Sequence, residues 1–91
     1  MARVVVSAQV QDPVAWEKGY RTRGALLQQG GTNKAHYTIA DNNWIVIYMK
    51  VKDLDAFNEF MASDAVVAAM AEDGVKAETV RVHALDRRLS V

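Results

Sequence analysis

The segment KAHYTIADNNWIVIYMKV, Lys34 to Val51, reads as a β-hairpin. Two runs rich in β-branched and aromatic residues flank Asp41-Asn42-Asn43, all of them turn formers. Register decides which side chains share a face, because a slip of one residue carries the whole set across the sheet. A two-residue loop would place Tyr37 and Ile39 beside Trp44, Val46 and Tyr48. A three-residue loop, Asp41 to Asn43, places them beside Ile45, Ile47 and Met49. The second is preferred, since it gives helices one apolar face to cover and Asn at the third loop position tolerates a positive φ. The opposite face then carries His36, Thr38, Trp44, Val46, Tyr48 and Lys50, with His36 directly across from Tyr48.

Working outward toward the N-terminus, Arg3 to Gln11 alternates as a strand. Val4, Val6, Ala8 and Val10 form a core face, and Arg3, Val5, Ser7, Gln9 and Gln11 a half-polar one. Asp12-Pro13 opens a helix with a capping carboxylate and a proline at the first helical position. Trp16, Tyr20 and Leu27 recur at helical spacing, with Gly24 leaving room on the same side, until Gly30-Gly31 ends the helix. Beyond the hairpin, Asp53 or Asp55 caps a second helix with Leu54, Phe57, Phe60 and Met61 on its apolar side. Ser63-Asp64 predicts a re-start that carries Val66, Val67 and Met70 and closes at Gly74. Lys76 to Leu85 is the last strand, with Val80, Val82 and Ala84 toward the core and Thr79, Arg81, His83 and Leu85 on the other face. The charged tail, Asp86 to Val91, is placed to lie across a partner.

The order β-α-β-β-α-β predicts an α+β, ferredoxin-like domain spanning residues 1–91. Right-handed crossovers give a four-stranded antiparallel sheet with both helices on one face and the other face open. Composition agrees with one small globular domain: 91 residues, 51% hydrophobic and 24% charged. The formal net charge of +0 argues against nucleic acid or an anionic membrane as the main partner. With no cysteine, disulfides and thiolate chemistry are excluded. Two histidines without clustered carboxylates argue against a metal site. The N-terminal MARVVVSAQV lacks the apolar length of a signal peptide or membrane helix, so a cytoplasmic location is the expectation.

The stretch VKDLDAFNEFMASDAVVAAMAEDGV, Val51 to Val75, resembles the second-helix region of dimeric α/β-barrel proteins, among them the antibiotic-biosynthesis-monooxygenase-like domains. It shares an acidic cap before an apolar-aromatic run, a Ser-Asp re-start, a Met, and Gly-Val leading into the last strand. The resemblance implies that two copies stack their open sheet faces into a barrel, with a cavity between each sheet and the interface. That family includes cofactor-independent oxygenases, cyclases, isomerases, haem-degrading enzymes and members without known activity, so fold does not choose the chemistry. The haem-degrading branch is disfavoured: Gln9 stands where its Asn would be sought, and neither helix carries a His. No cofactor is expected.

The open face collects the residues able to do chemistry. His36 and His83 are candidate proton-transfer groups, and Tyr48 and Arg81 candidate partners for an oxyanion or carboxylate. Ser7, Gln9, Thr38 and Trp44 are candidate substrate contacts, Trp44 as a flat apolar wall. His36 and His83 lie on opposite edge strands, roughly 14 Å apart at about 4.8 Å per strand, so they meet only if two copies pair. The expectation is a homodimer that binds an oxygenated or aromatic small molecule and acts by proton transfer. The alternative is a non-catalytic dimerisation or ligand-binding module, in which Trp44 and Tyr48 are interface aromatics. RNA-recognition domains share the topology but carry aromatics on both central strands, and the first strand here has none.

Overall fold

The computed structural model describes residues 2–85. The hairpin pairs strand β2, Thr32–Ile39, with strand β3, Trp44–Val51, through a 3-10 turn at Asp41–Asn43. Asn42 and Asn43 take φ of 58° and 63°, a left-handed conformation that asparagine adopts more readily than most residues. The Ala40 amide donates to the Trp44 carbonyl at 2.8 Å and closes the loop. Ile39 therefore faces Ile45, Tyr37 faces Ile47, and His36 faces Tyr48, which is the register of a three-residue loop.

Strand β1, Ala2–Gln9, lies antiparallel to β3 on one side and to β4, Arg81–Ala84, on the other. The sheet order is β2-β3-β1-β4. This is the expected ferredoxin-like sheet. Alternation is clean on the central strands: Val4, Val6 and Ala8 of β1 and Ile45, Ile47 and Met49 of β3 are buried, while the residues between them are half-exposed. Helices α1 (Pro13–Tyr20), α2 (Gly24–Gln29), α3 (Leu54–Met61) and α4 (Asp64–Glu72) cover that apolar side. Trp16, Phe57 and Val66 are their buried anchors.

The helix starts follow from side-chain capping. Asp12 accepts from the Val14 and Ala15 amides at 3.0 and 3.4 Å, and Asp53, rather than Asp55, does the same for Asp55 and Ala56 at 2.9 and 3.4 Å. Ser63 Oγ donates to the Phe60 carbonyl at 2.6 Å and accepts from the Val66 amide at 3.4 Å, so one side chain ends α3 and starts α4.

The first crossover differs from the single helix expected between Pro13 and Gly30. It is broken at Arg21–Arg23. The Thr22 and Arg23 amides bond three residues back, to Gly19 and Tyr20, and the Thr22 hydroxyl donates to the Gly19 carbonyl at 2.6 Å. Gly19 and Gly24, both weak helix formers, bracket the break. Gly24 faces open space instead of a close neighbour. Gly30 is the close approach: a Cβ there would run into the Phe60 ring.

The last strand is shorter than Lys76 to Leu85. Ala77–Thr79 forms a 3-10 turn, because Thr79 Oγ1 donates to the Lys76 carbonyl at 2.6 Å and receives the Gln9 amide at 2.8 Å. Val80 packs against the core, but Val82 is 37% exposed and Ala84 is exposed, contrary to their expected place in the core. Both lie on an edge strand beyond the helical layer. Val67 and Ile39 are exposed as well, the one on the outer side of α4 and the other at the hairpin tip. The tail from Asp86 to Val91 lies outside the described residues.

Candidate functional site

The two sides of the sheet offer different chemistry. On the helical side, an apolar cavity of about 80 Å³ lies between β1, β3 and the helices. Val6, Ile47, Trp16, Leu27, Met61 and Met70 line most of it, with Tyr20, Arg23 and Asp73 as its polar members. That room holds several waters or one small ring, by the measure in which one water needs about 10–15 Å³.

Tyr20 is the unusual wall residue. Its ring stacks on Trp16 at 4.9 Å and meets Tyr37 edge-on at 5.5 Å, so the ring is fixed on two sides. The Tyr37 hydroxyl is fully used: it donates to Glu17 Oε2 and accepts from Arg21 Nε, each at 3.0 Å. The Tyr20 hydroxyl is buried and has no hydrogen-bond partner among the described residues. Leaving such a group unpaired costs about 1–3 kcal/mol, and orphaned buried polar atoms are rare enough to need a reason.

Burial, reinforced by the nearby Tyr37, pushes the Tyr20 phenol from 10.0 up to about 12. At neutral pH it is therefore a hydrogen-bond donor and not a base. The linkage has a definite sign. Both folded and unfolded chains hold this proton below pH 10, whereas between pH 10 and about 12 only the fold does. Stability tied to Tyr20 is complete below pH 10 and is lost as pH rises toward 12.

The other polar wall group is an ion pair. Arg23 Nη2 and Nε donate to the two Asp73 oxygens at 2.9 and 3.3 Å. The pair joins the α1–α2 break to the end of α4, and the Asp73 carboxylate occupies the space that a Cβ at Gly19 would take. With Asp73 committed to Arg23, the cavity wall holds no free carboxylate.

The open side carries the residues singled out from sequence, and the register sorts them into rows. His36, Tyr48, Val5 and His83 share one row across the sheet. Thr38, Val46, Ser7 and Arg81 form the next, and Gln9 pairs with Trp44 beyond it. His36 and Tyr48 are directly opposite, while His36 and His83 are separated by Tyr48 and Val5. Arg81 turns its guanidinium to the Glu78 and Val80 carbonyls at 3.0 and 2.9 Å, so it braces the 3-10 turn. Gln9 Nε2 donates to the Asn42 carbonyl at 2.9 Å and ties β1 to the hairpin loop. Alternation places all eight residues on one face, but it does not show that the apolar cavity lies on the other. Tyr20, which recurs at helical spacing with Trp16, packs against the core as that spacing predicts. An unpaired hydroxyl carries no sequence signal, because it depends on what packs around it.

No group of three or more His, Asp or Glu that could hold a metal comes together among the described residues. Among the same residues no helix is long and apolar enough to cross a membrane.

No family model matches the chain. No curated protein matches it either. Solved structures do match over nearly its whole length. SnoaB, a cofactor-independent oxygenase from Streptomyces nogalater, superposes with a TM-score of 0.72 at 16% identity, covering 99% of this chain and 95% of that one. A candidate antibiotic biosynthesis monooxygenase from Bordetella bronchiseptica gives 0.76 at 16% identity, with 97% of both chains covered. A similar one from Caulobacter crescentus CB15 gives 0.69 at 21% identity, with 97% of this chain and 90% of that chain covered. The chain thus has the ferredoxin-like fold of antibiotic-biosynthesis-monooxygenase-like domains, as the resemblance of its second-helix region implied.

Proposed function

We propose that this chain binds a small, largely apolar molecule carrying one oxygen in the cavity between its sheet and helices, with the Tyr20 hydroxyl donating to that oxygen. The unpaired Tyr20 hydroxyl is the observation that carries the reading. In an apolar cavity, a single fixed donor orients a ligand and rejects those that cannot accept its hydrogen bond. Held protonated, Tyr20 would also stabilise an enolate or phenolate oxygen as charge develops there. Its structural neighbour SnoaB, a cofactor-independent oxygenase, supports chemistry of this type. A ligand larger than one ring would need α2 to move outward, and the break at Arg21–Arg23 is where that movement would hinge.

Phenol and 1-naphthol serve as probes, followed by Trp16 fluorescence and by amide chemical shifts. Tyr20→Phe is expected to have two effects of opposite sign. Without ligand it raises stability by about 1 kcal/mol, because an orphaned buried hydroxyl is gone, and it removes the loss of stability between pH 10 and 12. With ligand, it weakens binding about five- to tenfold, the loss of one hydrogen bond. Unchanged affinity in Tyr20→Phe, or shifts confined to the open side of the sheet, would overturn the reading.

A second reading rests on the His36–Tyr48 pair. In it, two copies stack their open faces as a homodimer, His36 transfers a proton, Tyr48 and Arg81 hold an oxyanion, and His83 comes from the partner. Ser7, Gln9, Thr38 and Trp44 then contact substrate. His36→Ala should abolish turnover and leave dimer mass unchanged by sedimentation; full activity in that variant would remove His36 from the mechanism. The remaining reading is a non-catalytic binding module, for which ligand is retained but never converted.

A further inference from the structure

Helix α1 and strand β2 bring three aromatic rings into mutual contact beside the cavity. Trp16 and Tyr20, one turn apart on α1, stack at 4.9 Å and 17°. Tyr37 of β2 meets both edge-on, each at 5.5 Å, at 83° to Trp16 and 76° to Tyr20. Packing alone accounts for such a triangle. It does not account for the difference between the two hydroxyls.

Tyr37 is the tyrosine that can hand on its proton. Its hydroxyl donates to Glu17 Oε2 at 3.0 Å and accepts from Arg21 Nε at 3.0 Å. Arg21 occupies the acceptor side of the oxygen, so the hydroxyl proton is directed at the carboxylate. The buried Tyr20 hydroxyl has no acceptor among the described residues. The difference matters when an electron is removed. A phenol that loses an electron becomes a strong acid, and its radical is stable only once a base has taken the proton. The radical cation of an indole is a far weaker acid, so Trp16 can hold the charge briefly. Among the three rings, an electron vacancy on Trp16 or Tyr20 thus has one downhill exit. That exit is Tyr37, and it is reached through rings already in contact.

We infer that Trp16, Tyr20 and Tyr37 form a one-electron relay, with Tyr37 as its terminal redox-active residue and Glu17 as the proton acceptor. In the closing step the Trp16 radical cation takes an electron from Tyr37, the Tyr37 O–H bond breaks, and the proton adds to the Glu17 carboxylate. The products are neutral Trp16, the Tyr37 phenoxyl radical and the Glu17 carboxylic acid. Trp16 and Tyr20 line the cavity together with Met49, Met61 and Met70, whose thioethers are open to oxidation. Tyr37 stands half-buried on the edge strand β2. The relay moves the oxidising equivalent of an organic peroxyl or phenoxyl radical in the cavity away from those methionines. At Tyr37 a soluble hydrogen-atom donor such as ascorbate restores the phenol, and Glu17 releases its proton to water. The inference goes beyond ligand binding and does not require it, because Trp16 itself can be oxidised.

The test uses the full chain carrying Trp44→Phe and Tyr48→Phe, two half-exposed positions outside the core. Trp16 is then the only tryptophan, and Tyr20 and Tyr37 are the only tyrosines. A laser flash at the red edge, where only tryptophan absorbs, photoionises Trp16, and hexaamminecobalt(III) takes up the ejected electron. Transient absorption tells tryptophan and tyrosine radicals apart. The tryptophan radical is expected to decay as a tyrosine radical rises. Tyr37→Phe should abolish that rise, and Tyr20→Phe should keep it. Glu17→Gln should slow it about a hundredfold, the lower end of what a positioned base contributes to proton transfer. The native chain and its Tyr37→Phe variant, flashed in the same way, give the main comparison without the double background. No tyrosine radical, a rise that survives Tyr37→Phe, or an unchanged rate in Glu17→Gln would each overturn the inference. None of these results bears on the binding of phenol at Tyr20, which is measured separately.

Discussion

Trp16→Ala is expected to cost about 3–5 kcal/mol, as large-to-small changes at buried aromatic positions do. A chain of 91 residues has roughly 5–14 kcal/mol to lose at the usual stability per residue. The loss is thus at least about a fifth of the total, and at the lower end of that range it brings the variant to its unfolding midpoint without denaturant. Trp16 is 2% exposed and is the buried residue of α1. Its ring stacks on Tyr20 at 4.9 Å and meets Tyr37 at 5.5 Å and 83°. Such aromatic pairs add about 0.5–1.5 kcal/mol each beyond area burial. The site also adjoins the cavity, so the space vacated would join existing room that the helices already fail to fill. Partial collapse is the usual relief for a truncated core residue, and here it is limited. Trp16→Phe keeps the stack and should cost under half as much. Urea unfolding monitored by far-ultraviolet circular dichroism measures both. A loss below 2 kcal/mol for Trp16→Ala would mean that α1 repacks onto β3 and closes the cavity, and the ligand reading would fall with it.

That dependence on Tyr20 and Trp16 shows where sequence is informative and where it stops. The hairpin register was legible because Asp41-Asn42-Asn43 tolerates left-handed backbone and because only one register gives a continuous apolar face. The caps at Asp12 and Ser63 were legible, and the third was narrowed to Asp53 or Asp55, because a short polar side chain before an apolar helix satisfies otherwise free amides. These are local matters. The break between α1 and α2 was not legible, since its anchor is Asp73, 50 residues along the chain from Arg23. Nor was the early end of β4 pairing, which depends on the Thr79 hydroxyl meeting the Gln9 amide across 70 residues. The candidate site divides in the same way. Alternation along strands correctly grouped His36, Tyr48, Ser7 and Arg81 on one face, because period two is a property of the backbone. Where the helices leave a void is a property of packing, and no residue pattern announces it.

The ion pair that anchors the break carries the second large effect. Asp73→Ala is expected to destabilise by about 2 kcal/mol, within the range for hydrogen bonds to charged groups. Asp73 is 8% exposed and accepts both Arg23 donors in a forked geometry that lysine could not reproduce. Arg23 retains 23% exposure, so water recovers part of its charge when the carboxylate is removed, and the cost stays below that of a fully buried pair. Glu72, at 3.6 Å and 77% exposed, is a weak substitute. The effect should be local as well as global. Arg23 is the residue before α2, and Leu26 and Leu27 of α2 line the cavity, so losing the anchor frees one wall. Amide exchange in Gly24–Gln29 should accelerate in Asp73→Ala more than in α3, and binding of 1-naphthol should become faster. A double-mutant cycle with Arg23→Ala separates pairing from packing: a coupling of at least about 1 kcal/mol is expected. If the two substitutions instead add, the pair is incidental and α2 is held by its leucines alone. In that case access to the cavity would respond to Leu27→Ala and not to Asp73→Ala, which the same exchange measurement distinguishes.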